Sequence, residues 1–95
     1  MVTVYVDETR EHARVSLPAR RWGRLWCHMT ADTEAELHEM AKAIGLKRAY
    51  FQRRPGPNRA LDHYDLTPSK RAMAVKRGAA EESLQQFMHR TKGSR

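Results

Sequence analysis

Five titratable side chains fall within nine positions, His63, Tyr64, Asp65, Lys70 and Arg71, and their types suit one kind of chemistry. An imidazole with a carboxylate two residues away can do general acid–base work, the carboxylate fixing the ring and supporting its charged form. Lys70 and Arg71 follow Thr67 and Pro68, an N-cap residue and a first-turn proline that together open a helix. Cations in a first turn oppose the helix dipole, and a bound phosphate or carboxylate would offset that cost. The expected site is therefore anion-directed. His63 and Asp65 are its catalytic candidates, and Lys70, Arg71 and Thr67 its anion contacts. Asp7, His28 and His38 are further catalytic candidates, and Arg53 and Arg54 further anion contacts, provided the fold gathers them.

Plainer roles compete for several of these residues. Asp32 and Thr33 suit a helix cap, His38 adjoins an apolar helix stripe, and Tyr64 can bury its ring and bond its hydroxyl. Cys27 and His28 are adjacent on an expected strand, so their side chains point to opposite faces and make no nucleophile–base pair. A buried structural thiol is the expectation for Cys27. His63-x-Asp65 can contribute to a metal site that His28 or His38 completes in space, but no HExxH or paired-cysteine spacing is present. No metal ligand set and no cofactor are assigned. The chain has neither GxGxxG after its first strand nor GxxxxGK[ST], and no second helix after Gly45 to make a helix-turn-helix.

The elements that must position these residues follow from periodicity. Val2, Val4 and Val6 alternate with Thr3 and Tyr5 to give a first strand ending at Asp7 and Glu8. After a connection containing Pro18, a second strand is expected over 21–29, with Leu25, Cys27 and Met29 on one face and Trp22, Arg24, Trp26 and His28 on the other. Thr33 and Glu36 make a capping box for a helix whose Leu37, Met40, Ala41 and Ile44 share a face, closed by Gly45 and Leu46. Residues 49–52 read as a short third strand and 53–66 as a long loop. A helix from Thr67 should turn Ala72, Val75 and Ala79 inward and meet Gly78. A last helix over 80–89 should bury Ala80, Leu84, Phe87 and Met88. The order β-β-α-β-loop-α-α implies an α/β fold: a small, mostly parallel three-stranded sheet with three helices. In such a sheet Asp7, His28 and Asp32 would share the carboxyl edge, where ligands bind.

Ninety-five residues leave room for one core, taken as residues 1–90 with a polar tail over 91–95. A mean hydropathy of -0.81 makes that core thin and the domain modest in stability or a homo-oligomer. Net charge is +7, and it is unevenly placed. Residues 1–40 carry five Arg against seven Asp or Glu, whereas residues 42–77 carry ten Lys or Arg against Asp62 and Asp65. Such a concentrated field attracts phosphate, nucleic acid or an acidic protein surface. A single cysteine and no charged-then-apolar leader point to the reducing cytoplasm, and no apolar run approaches the roughly 20 residues a spanning helix needs.

Val4-Tyr5-Val6-Asp7, Ala31-Asp32-Thr33, Glu36-Leu37-His38, Gly45-Leu46, Phe51-Gln52, His63-Tyr64-Asp65-Leu66-Thr67 and Lys70-Arg71 stand in an order that resembles the domain of unknown function 4031 family. The resemblance covers about Met1 to Ala80, the last helix being less similar. It implies a small intracellular domain of the kind found in bacteria and their phages, with a recurring polar set and no particular activity. Three functional classes follow from the residues. One is a phosphate-directed site acting on a nucleotide or nucleic acid. Another is a nucleic-acid binder without catalysis, its cations contacting phosphate and Tyr50 or Trp26 stacking on bases. The last is a module for a host or cellular protein partner, using Trp22, Trp26 and the final helix.

Overall fold

A computed structural model describes residues 4–11, 25–54, 56 and 58–92, as a mixed sheet with three helices. The strand segments are β1 (Val4–Val6), β2 (Arg10–Glu11), β3 (Leu25–Ala31), β4 (Tyr64–Leu66) and β5 (Ala80–Glu81). The helices are α1 (Glu34–Ala43), α2 (Pro68–Lys76) and α3 (Leu84–Lys92). Central β3 pairs antiparallel with β1, β2 and β4, and β1 pairs parallel with β5. Met29 faces both Val6 and Tyr64, so β1 and β4 lie on opposite edges of β3. From Val6 opposite Met29 to Arg10 opposite Trp26, the first strand advances four residues while β3 gives up three. β2 thus continues β1 after a one-residue bulge, and the sheet is four strands wide.

Period-two alternation divides the sheet into two faces. Val4, Val6, Cys27, Met29, Tyr64 and Leu66 are buried on one of them, together with Leu37, Ala41 and Ile44 of the α1 segment and Ala74 of α2. Burial pushes the Cys27 thiol up to about 12, so it packs as an inert apolar group. Tyr5, Thr30, His28 and Asp65 occupy the opposite face, where α3 packs. There Phe87 stacks on His28 at 5.7 Å, and Arg90 lies 3.7 Å over the Tyr5 ring while donating to Thr30 Oγ1 at 2.6 Å.

Local chemistry explains the helix ends. Thr33 Oγ1 accepts the Glu36 N–H to start α1, and Thr67 Oγ1 accepts the Lys70 N–H to start α2. Gly45 takes φ 83° after α1, where Leu46 N–H bonds Ala41 C=O and Gly45 N–H bonds Lys42 C=O, the Schellman pattern. For α3, Ser83 and Gln86 form a reciprocal capping box that sets the helix start at Leu84.

Several sequence expectations are corrected here. The sheet is not mostly parallel and three-stranded: only β1–β5 is parallel, and the rest is antiparallel. The stretch expected as a third strand is instead a 3-10 turn, Arg48–Tyr50, after which only Gln52 bridges His63. The expected long loop contains a second 3-10 turn, Arg59–Leu61, and all of β4. Ala74, not Ala72, is the buried alanine of α2. Ala80 joins the sheet instead of a helix, and α3 leaves Leu84 and Met88 exposed and buries Thr91. That helix runs to Lys92, into the segment read as a tail. Pro18, Trp22 and Arg24 lie outside the described residues. Among the described residues no helix is long and apolar enough to cross a membrane.

Candidate functional site

The bulge after Val6 creates the site. In a regular ladder Asp7 and His28 would exchange two backbone hydrogen bonds. Only one forms, from Asp7 N–H to His28 C=O at 3.1 Å. The His28 N–H is met instead by the side chain, donating to Asp7 Oδ1 at 2.6 Å, and the Asp7 carbonyl turns away to accept from Arg71 Nε at 2.8 Å. Asp7 Oδ2 then receives Arg10 Nη2 at 2.9 Å and stands 3.0 Å from His28 Nδ1. A carboxylate with 0 % exposure is thus satisfied on every side. Burial alone would raise its pKa, but the hydrogen bonds from His28 and Arg10 hold it below the usual carboxylate value.

Across β3 from Asp7 lies Asp65, paired in register with His28. His63 and Asp65 are two residues apart on an extended segment, so both face the α3 side while Tyr64 between them points into the core. The His63 Nδ1 lies 3.0 Å from the Leu61 carbonyl, and its Nε2 lies 3.3 Å from Asp65 Oδ1. His28 Nε2 is 4.0 Å from that same oxygen, and the two imidazoles meet edge to face with centroids 4.8 Å apart. Gln52 Nε2 donates to Asp65 Oδ2 at 2.6 Å, leaving Oδ1 turned to the histidines.

Partner chemistry fixes the tautomers. The His63 Nδ1 faces a carbonyl oxygen, which only accepts, and the His28 Nδ1 stands closer to the Asp7 carboxylate, at 3.0 Å, than to the Arg10 guanidinium, at 3.4 Å, so each Nδ1 carries hydrogen. The other nitrogen of each ring, Nε2, is directed toward Asp65. Burial opposes charge on His63, but the hydrogen bonds to Asp65 and to Leu61 outweigh it and carry its pKa above the ordinary histidine value. Asp65 is lowered in turn: burial acts against this, and the hydrogen bonds from His63 and Gln52 prevail.

The other candidates lie elsewhere. His38 is on the core side of the sheet, its Nδ1 2.7 Å from Tyr64 Oη and its Nε2 3.2 Å from Glu34 Oε2. Lys70 donates from Nζ to the Ile44 carbonyl at 2.7 Å, so it serves the C-terminal end of α1, where a cation suits the dipole. Arg53 joins Glu34 and Asp62, and the Arg54 backbone N–H also meets Asp62, leaving the Arg54 side chain exposed near enough to His63 to oppose its charge. Thr67 acts as a cap. Sequence reasoning did not single out Arg10, Gln52 or the Leu61 carbonyl. Arg10 lay in no recognised motif, and Gln52 and Leu61 reach the site only through pairings between distant segments. Phe87 was expected to be buried, but nothing marked it as a partner of His28.

A family model described as Protein of unknown function (DUF4031) matches residues 4–94, and the chain belongs to that family. The match runs past Ala80 through α3, so the helix that covers His28 lies within it, contrary to the shorter resemblance read from sequence. Neither the curated proteins nor the solved structures contain a match.

Proposed function

We propose that this member of the 4031 family catalyses acid–base chemistry on an anionic, phosphate-bearing ligand such as a nucleotide or nucleic acid. His63 and His28 act as the proton-transferring pair, while Asp65 and Asp7 orient them. One observation carries the reading: both rings hold their Nδ1 hydrogens in place and direct Nε2 to the same carboxylate oxygen, at 3.3 and 4.0 Å. The raised pKa of His63 makes it the proton donor to a leaving group, leaving His28 to accept from the nucleophile. Asp7 keeps the His28 ring in the tautomer this requires, as a buried carboxylate does in hydrolytic triads. Arg10, Arg54 and Arg71, all close to these groups, supply the field for an anion.

The test is turnover of chromogenic phosphomonoesters and phosphodiesters, nucleotides and single-stranded RNA by the purified chain. His63→Gln and His28→Gln should each lower the rate by about a hundredfold or more while the fold persists. Absence of turnover on every substrate, or wild-type rates in both variants, would remove the proposal. A second reading, a module for a protein partner, draws on the exposed Leu84 and Met88 of α3, the latter 59 % exposed. It predicts a partner that binds the two histidine variants as well as it binds the parent.

A further inference from the structure

We infer that His28, His63 and Asp65 bind a first-row divalent metal ion, most suitably zinc, through the two Nε2 atoms and Asp65 Oδ1. The inference rests on the same side chains as the acid–base reading but goes beyond it and stands as an alternative to it, since an Nε2 lone pair given to a metal ion is not free to exchange a proton. The three donor atoms lie within 4.8 Å of one another, with His63 Nε2 and Asp65 Oδ1 separated by 3.3 Å. Tetrahedral zinc with bonds of about 2.0–2.1 Å sets its ligand atoms about 3.3–3.4 Å apart. One edge of that tetrahedron already has its length, while the edge from His28 to Asp65, at 4.0 Å, and the edge between the two imidazoles, bounded by 4.8 Å, close by side-chain movement.

An independent feature points the same way, the support behind each ligand. Histidines that bind metals donate their other N–H to a carboxylate or a carbonyl, which sets ring orientation and basicity. Here Asp7 does this for His28, the Leu61 carbonyl for His63, and Gln52 holds the second oxygen of Asp65. Two imidazoles and one carboxylate leave a coordination position open, the pattern of catalytic zinc and of facial-triad iron rather than of structural sites. Buried Cys27 points to the other face of the sheet and takes no part.

The experiment titrates chelator-stripped full chain with cobalt(II) and zinc(II), following cobalt d–d absorption, zinc by calorimetry, and histidine side-chain NMR resonances. A single equivalent should bind, with shifts confined to His28 and His63. Asp65→Asn, altering a side chain that is one-third exposed, should fold normally and bind at least about tenfold more weakly, and Asp7→Asn should weaken binding about ten- to hundredfold without touching the metal. No binding, or binding that a folded Asp65→Asn leaves unchanged, would overturn the inference. Metal bound without turnover on any phosphate ester upholds this site and removes the acid–base reading. Turnover in stripped protein that has no affinity for metal does the reverse.

Discussion

Asp7 meets His28 twice, accepting its backbone N–H at 2.6 Å through Oδ1 and facing its ring Nδ1 at 3.0 Å through Oδ2. A methyl group in place of that carboxylate leaves a backbone donor unsatisfied and deprives Arg10 of its partner. Asp7→Ala should cost about 3 kcal/mol of stability, and Asp7→Asn, which keeps an acceptor, roughly half that. Urea unfolding of the two variants gives the comparison, and equal losses would mean the backbone bond is not what the residue supplies.

Stability should vary with pH in two windows of opposite sign. Asp7 and Asp65 have lowered folded-state values, so their contribution is present above the unfolded carboxylate value of about 3.8 and is lost as pH falls through the folded ones. His63 is raised, so its contribution is complete below its unfolded value of about 6.5 and disappears as pH rises through the folded value. Urea midpoints should therefore plateau between those limits and fall on either side. In His63→Gln the alkaline fall should shrink; an unchanged alkaline limb would place its origin elsewhere.

Lys70 separates capping from anion binding. With its Nζ on the Ile44 carbonyl, Lys70→Met should lower stability by about 1 kcal/mol and leave phosphate affinity intact. Calorimetry with inorganic phosphate alongside chemical unfolding reads both effects. A fall in affinity with no change in stability would return Lys70 to the anion site.

His38 makes its bonds to Tyr64 and Glu34 on the other side of the sheet. His38→Gln should keep wild-type turnover and lose about 1 kcal/mol of stability. A rate defect like that of His63→Gln would mean the two faces of the sheet are coupled.

How much of this was legible varied with element length. Ten residues of α1 display a cap, an apolar stripe and a glycine stop, and all three were readable from Thr33 to Leu46. The two- and three-residue strands β2, β4 and β5 are too short to show a period, and strand direction depends on connections that local pattern does not encode. The 48–52 stretch carried a few apolar residues that suit a strand or a turn equally, and tertiary context chose the turn. At the site, Asp7, His28, His63 and Asp65 were named from their types, and they do converge, though on a face of the sheet rather than at a carboxyl edge. Lys70 and His38 were grouped with them by proximity in sequence and by residue type, neither of which states the face. Alternation across 63–65 would have placed His63 with Asp65 and sent Tyr64 inward, had that stretch been read as extended.

The extra residue between β1 and β2 divides two duties at position 7. Arg71 anchors α2 to the first strand through a main-chain oxygen, which every amino acid carries, so this joint is indifferent to the side chain there. What depends on aspartate is the side-chain set, the His28 N–H, the His28 ring and Arg10. A substitution at position 7 therefore disturbs the strand pair and the imidazole while the joint to α2 stays in place.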